Sequence, residues 1–295
     1  MNIAERYKIW FAISLAIILV GAASTLIFGV NLGIDFTGGT MMQIDMGQTL
    51  EVSTVTELVK PFDLNPEVIH AGADKHEIII KTKQSLDNDQ RMEIFKAFQT
   101  EYQLPNEAFK GAEQFGPSIG SEIQTRAMVA VIIASACMFI YIIFRFEVFY
   151  GISSIVALLH DVLILLSIYA IFRIPVNSSF IAAVLTVVGY SINDTIVVFD
   201  RVRENVIKMD KASFFEIANT SLKQTISRSI NTSLTTLLVI GSLYFFGVES
   251  IKDFALPLMA GVLVGTYSSI FVASPVWALL KKAQKKRNQK YPVPE

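Results

Sequence analysis

The chain has 295 residues, 52% hydrophobic and only 17% charged, where a soluble domain carries about 25% charged residues. Its apolar residues gather into runs of about eighteen or more, the length that crosses a ~30 Å hydrocarbon layer, which excludes a single-domain soluble enzyme, a fibrous protein and a disordered one. The formal net charge of −1 hides a division: residues 31–125 hold 15 acidic and 7 basic side chains, and the rest of the chain is net basic.

The first predicted span runs from Trp10 to about Val30, behind Arg6 and Lys8. Its basic start and Gly21-Ala22-Ala23-Ser24 share the outline of a cleavable signal peptide. The apolar run continues through Leu26-Ile27-Phe28-Gly29-Val30 to full spanning length, so an uncleaved anchor is the favoured reading. Segment 31–125 is polar but patterned. Thr40–Asp45 alternates as a strand, and Glu51–Phe62 reads as a short helix ending near Pro61. Val68–Ala71 and His76–Thr82 read as strands about a turn at Gly72-Ala73-Asp74. Asp87–Tyr102 has Met92, Phe95, Phe98 and Tyr102 at helical spacing, and a last strand falls at Ala112–Phe115. That order, βαββαβ, is the split βαβ, ferredoxin-like plan. His70 and His76 have no neighbouring Cys or His at metal spacing and are read as surface or core histidines.

Five further spans follow: Ala127–Phe144, Phe149–Phe172, Ser178–Asp200, Ser229–Gly247 and Phe254–Leu280, the last with Pro257 and Pro275 near its ends. The expected fold is an α-helical polytopic membrane protein, six transmembrane helices with a small α+β ferredoxin-like exterior domain between the first and second. Its parts are 1–30, the N-terminus and first span; 31–125, the exterior domain; 126–280, the other spans with a loop at 201–228; and 281–295, a basic tail. Counting Lys and Arg orients it. With the N-terminus inside, Arg6, Lys8, Arg145, the 201–228 loop and the tail put 15 basic residues in the cytoplasm, against Arg173 and Lys252 in the short outer loops. The tail, Lys281-Lys282-Ala283-Gln284-Lys285-Lys286-Arg287, has Tyr291 as its lone aromatic, so anionic headgroups suit it better than nucleic acid. Cys137 is the only cysteine, which rules out an intrachain disulfide or CxxC pair.

Ionisable residues inside spans carry the functional signal, since each costs about 2.5–3.5 kcal/mol on the translocon scale unless sheltered. Three are clear: His160 and Asp161 in the third span and Asp194 in the fourth, with Arg228 at the start of the fifth. Asp194 sits in a small, polar patch, Gly189-Tyr190-Ser191-Ile192-Asn193-Asp194-Thr195, which offers close helix approach or a water path. By helix rise Asp194 lies roughly 10 Å inside the surface, a depth that Arg228 reaches from the same side. A buried carboxylate balanced between desolvation and a nearby cation exchanges protons, which reads Asp194 as a relay residue. Interhelical hydrogen bonds average only about 0.6 kcal/mol, a thin reason to bury a charge for structure alone. For His160 and Asp161 relay and structural roles stay equally open. The chain contains no GxSxG, HExxH or Walker-type phosphate loop, and Gly38-Gly39 beside Asp35 lacks the strand–loop–helix context of a nucleotide site, so no catalysis, cofactor or metal is expected.

Two longer motifs carry a family resemblance. Gly33-Ile34-Asp35-Phe36-Thr37-Gly38-Gly39-Thr40, directly after the first span, resembles the opening of the exterior domain in SecD and SecF proteins. Residues 188–205, from Val188 through Asp194 to Asn205, resemble the fourth-helix signature of the SecF family, and 227–236 and His160-Asp161-Val162 match its patterns too. The likeness covers essentially the whole chain. It implies a resistance-nodulation-division type half-transporter of the bacterial inner membrane that pairs with SecD. It further implies work with SecYEG and SecA, often with YajC and YidC, in drawing unfolded preprotein outward at the expense of the proton-motive force. The resemblance also implies that Asp194 and Arg228 serve proton passage together with an aspartate of SecD. Half of an efflux pump, a scaffold with no proton work, and a membrane enzyme are the rival readings. The 95-residue exterior segment leaves little room for a drug pocket, and no nucleophile–base pair supports the enzyme.

Overall fold

In the computed structural model, which describes residues 2–72 and 74–290, six helices are long and apolar enough to cross a membrane. Ala73 of the expected turn and residues 291–295 of the tail, Tyr291 among them, lie outside the described residues. Helix α1 (Tyr7–Phe28) has 22 residues with Lys8 as its one charge, and Gly29 ends it at φ +69°. A single turn, α2 (Ile34–Thr37), then leads into β1 (Gly39–Asp45).

The small domain continues through α3 (Val52–Val59), β2 (Glu67–Ala71), β3 (Glu77–Thr82), α4 (Asn88–Tyr102) and β4 (Phe109–Phe115). Its antiparallel sheet runs β2-β3-β1-β4, the ferredoxin-like order that the sequence pattern calls for. Alternation puts Met42 opposite Ile80 and Ile44 opposite Ile78, and these pack with Val55, Val59, Ile94, Phe95 and Phe98 of the covering helices. Helix α4 opens on a capping box, Asp87 accepting from the Gln90 N–H and Gln90 from the Asp87 N–H. Strand β4 starts three residues earlier than expected. A register shift between Gln43 and Ile44 interrupts its alternation, while Phe109 still reaches the core, 5.3 Å from the Phe95 ring.

Helix α5 (Pro117–Arg145) follows β4 at once, so the expected boundary at residue 125 lies within a continuous helix. Then come α6 (Val148–Ile171), α7 (Ser178–Lys208), α8 (Phe214–Phe246) and α9 (Glu249–Ser268). A π turn (Ser269–Ala273) joins α9 to α10 (Ser274–Lys290), and the three form the last crossing. The 201–228 segment is largely helix: α7 and α8 extend beyond the apolar runs and are tied by Asn205, which donates to Ser221 and Gln224. Half or more of the apolar stretch of α6, α7 and the last crossing is buried, but less than a fifth of α1, α5 and α8. Three helices are thus the interior of the bundle, and three present apolar faces that suit lipid or a partner.

Close approach of α9 to α7 depends on two glycines. A Cβ at Gly261 would stand 2.1 Å from Val187 Cγ2, and one at Gly265 2.9 Å from Ser191 Cβ. The domain is fastened to the bundle just before the start of α7 by a short backbone splice. Leu32 bridges Val176, Gly33 N–H donates to Val176 O (2.7 Å), and Val176 N–H to Asn31 O (2.8 Å). An ion pair, Lys81 with Asp253 at 3.5 Å, adds a contact to α9.

Candidate functional site

Asp161 of α6 and Asp194 of α7 are 2% and 7% exposed, on faces that meet α9 and its π turn. Asp161 Oδ2 accepts the hydroxyls of Ser191 (2.6 Å) and Ser268 (2.9 Å), and Oδ1 lies 3.0 Å from His160 Nδ1. His160 Nε2 is 2.8 Å from Ser14 Oγ of α1, and its ring stacks on Tyr267. Four helices, α1, α6, α7 and α9, therefore converge on one His–Asp pair.

Asp194 forms a second centre. Its Oδ1 accepts from Ser229 Oγ of α8 at 2.6 Å, while the buried Oδ2 accepts no hydrogen bond. Ser269 stands nearby with its hydroxyl on Gly265 O and on Thr195 Oγ1 (2.8 Å). An unpaired buried polar oxygen is costly, and groups of that kind in native proteins mark strain, function or an unseen partner. The junction of α9 with the π turn bears on both centres: Ser268, the last residue of α9, and Ser269, the first of the turn, serve Asp161 and the Asp194–Thr195 turn respectively.

The polar patch of α7 divides between two sides. Ser191, Asp194 and Thr195 point inward, and Tyr190 donates to Ser233 of α8 (3.1 Å). Gly189 and Asn193 are on the opposite side, Gly189 with open space where a Cβ would be and Asn193 exposed. Arg228 precedes Ser229 and so shares Asp194's depth, but its side chain is exposed and no ion pair joins the two. The motif at the start of the domain is structural in its contacts. Asp35 Oδ2 accepts from the first N–H of α7, Ser178 (2.8 Å), and Phe36 is buried with its carbonyl on Gln124. Gly33 belongs to the splice, and Gly38 and Gly39 adopt φ +79° and +147°, with Gly39 against Thr82 O. That motif and Asp194 thus sit at different parts of α7, its first turn and its middle.

Ser14, Ser229, Tyr267, Ser268 and Ser269 complete both centres and were not singled out in the sequence. Apart from the place of Ser229 within the 227–236 motif, their signal is the recurrence of hydroxyls in apolar helices, which does not say where each points. Among the described residues no cluster of His, Cys, Asp and Glu could hold a metal ion.

Comparison with known proteins gives concordant results. The family model described as "Protein export membrane protein SecD/SecF, C-terminal" matches residues 94–283, and the "SecD/SecF GG Motif" matches residues 23–49. The chain is similar to the protein translocase subunit SecF of Thermodesulfovibrio yellowstonii, 38% identical over 95% of each chain. It resembles that of Alicyclobacillus acidocaldarius at 36% identity over 100% of this chain and 98% of the relative. The SecDF of Bacillus subtilis is 34% identical over 97% of this chain but only 39% of its own length. Among solved structures, the translocon-associated membrane protein SecDF of Thermus thermophilus superposes with a TM-score of 0.82 at 34% identity, covering 96% of this chain and 39% of that one.

Proposed function

Because the chain belongs to the SecD/SecF family of protein export membrane proteins, we propose that it is the auxiliary subunit of a Sec translocase, which with SecD uses the proton-motive force to promote late steps of protein export. The chain is a multi-pass membrane protein and a transport component. In this reading it lies in the cytoplasmic membrane with both termini inside and residues 31–125 outside, against the emerging unfolded preprotein. SecYEG and SecA, with YajC and YidC, make up the surrounding machinery.

One observation carries the proton part: Asp194 is buried within a membrane helix and has one oxygen on Ser229 and the other free to take a proton. Membrane-embedded carboxylates of this kind mark relays by default. Arg228 at the same depth and the His160–Asp161 pair complete the proposed relay. Pairing with SecD is supported by the small and polar outer face of α7 and α8, where Gly189, Asn193, Arg228, Asn231 and Thr235 would otherwise meet lipid. It is supported too by the chain's matching 39% of fused SecDF proteins.

The test is Asp194→Asn in the complex reconstituted into vesicles. It keeps the side chain's size and removes its titration, so the complex should assemble yet lose the part of preprotein movement stimulated by a proton gradient. An assembled variant that responds fully to the gradient would overturn the relay role of Asp194.

A further inference from the structure

The hydroxyls around His160 fix where protons must be. The carbonyl of Trp10 can only accept, so Tyr267 donates its one proton to it (2.9 Å). The Ser14–Tyr267 contact (3.3 Å) then requires Ser14 to donate to Tyr267. With its proton used, Ser14 can only accept from His160, so Nε2 carries a hydrogen (2.8 Å). At the far side of the ring, Nδ1 faces Asp161 Oδ1 at 3.0 Å. If both were bare, two lone pairs would oppose each other in a buried site, so a further proton lies between them. Asp161 Oδ2 accepts from Ser191, and a proton on it would still leave bare Nδ1 facing bare Oδ1, so it is not where the proton sits. The pair therefore holds one proton more than a neutral imidazole beside a carboxylate with Nδ1–H alone.

The chain of hydroxyls also leads somewhere. It passes from the middle of α6 to the first turns of α1, where a cavity of about 410 Å³ is lined by Asn2, Ile3, Arg6, Trp10, Ile226 and Phe271. Trp10, whose carbonyl ends the chain, and Phe271, one helical turn beyond Tyr267 and 5.0 Å from its ring, form a wall of that cavity. Arg6 and Asn2 at its mouth are exposed polar groups at the basic end of the bundle.

We propose that His160 and Asp161 form a second proton store, separate from Asp194, which discharges through Ser14 and Tyr267 into the Trp10–Phe271 cavity. This rests on the proton-driven reading above. The transfer balances without a redox partner. His160 Nε2 gives its proton to Ser14 Oγ, Ser14 passes its own to Tyr267 Oη, and Tyr267, which stands behind the Trp10–Phe271 wall, releases one to water that reaches it from the cavity. His160 then keeps a single hydrogen, on Nδ1, bonded to an ionised Asp161. The hydroxyls reverse, with Ser14 now donating to Nε2. The hydrogen-bond pattern in the structure is the loaded one. Among the described residues Tyr267 is the one other titratable group packed against the pair; Ser14, Ser191 and Ser268 supply the remaining polar contacts, and no described Lys or Arg forms an ion pair with Asp161.

The chain has three histidines, so replacing His70 and His76 by Gln, with SecD left unlabelled, leaves His160 as the only ring to observe. In the full complex with SecD, nitrogen-15 NMR of that histidine together with the carboxylic infrared band of Asp161 reads the store directly. The expected resting state has Nε2 protonated and a second proton on Nδ1 or on Asp161, and this signature changes in Asp161→Asn. Tyr267→Phe, which removes the hydroxyl that donates to Trp10 O and accepts from Ser14, should slow release of that proton after a pH jump at least tenfold, and Ser14→Ala should do the same. A resting His160 with a bare Nε2 overturns the store. Unchanged release in Tyr267→Phe and Ser14→Ala overturns the path. Export is not part of these readouts. If they behave as expected while Asp194→Asn still responds to a gradient, the relay reading of Asp194 fails and the store stands.

Discussion

At the scale of single residues, the two buried carboxylates differ in how fully they are satisfied. Asp161 has hydroxyl or imidazole partners on both oxygens, whereas Asp194 has one close hydroxyl donor among the described residues, Ser229, with Ser269 standing nearby. Ser229 therefore has more influence than a serine on an outer helix usually has. Ser229→Ala is expected to weaken gradient-driven export roughly threefold, the worth of an average interhelical hydrogen bond of about 0.6 kcal/mol, with assembly intact. Ser229→Thr, which keeps the hydroxyl, should retain most of the activity. Equal losses in both variants would mean that packing at this site matters and the hydrogen bond does not. Membrane-vesicle export assays with and without a proton gradient make the measurement.

At the scale of elements, α7 and α9 are held together by absent side chains. Gly261→Ala and Gly265→Ala each insert a methyl where Val187 or Ser191 already stands, an overpacking that costs about 1–3 kcal/mol. Both should lower the melting temperature of the purified chain, and Gly265→Ala should also displace Ser191 from Asp161. The small domain offers a test by pH, since two of its carboxylates act with opposite sign. Burial pushes the Glu67 carboxyl above its ordinary range, against the pull of Lys81. The fold thus favours neutral Glu67, so its contribution is complete below about pH 4.3 and lost as pH rises through the raised value. Asp45 behaves the other way. The Gly47 N–H and the Lys110 ammonium hold it below the usual range, so its contribution is present above about pH 3.9 and lost as pH falls through the lowered value. Hydrogen exchange of β1 and β3 amides should show Glu67→Gln protecting the sheet at neutral pH relative to the parent. Asp45→Asn should remove protection there and flatten the acid limb.

At the scale of the whole molecule, the bundle is asymmetric. Its polar chemistry is enclosed by α1, α6, α7, α8 and α9, yet α7 and α8 also turn small and polar residues outward. Gly189 separates the two functions, having open space beside it in the single chain. Gly189→Leu is expected to leave the chain's own folding unchanged and to abolish co-purification with SecD. If the complex forms normally, the partner seat lies on another face. The domain's attachment also joins distant parts: Asp35 caps α7 and Lys81 meets Asp253 of α9, so displacement of either helix reaches the sheet directly.

The number of spans, the polar domain between the first two and its strand and helix order all follow from the sequence by itself. Apolar run length and the periods of 2 and 3.6 are local properties of consecutive residues. The rank of His160, Asp161 and Asp194 as the residues to watch follows too, because a charge in an apolar run is costly whatever surrounds it. Only the tertiary structure decided which hydroxyls serve them. Ser14 and His160 are 146 positions apart, and Asp161 and Ser268 are 107 apart. Helix periodicity fixes the face on which a serine lies, but the neighbour that the face meets depends on helix packing. Here that packing is set by the near contact at Gly261 and Gly265 and by the π turn, which shifts the register of every residue after Ser268. The same limit explains why the patch around Asp194 reads as one feature in sequence and divides into an inner and an outer face in space. Residues adjacent in a helix point about 100° apart, and the bundle encloses only one side.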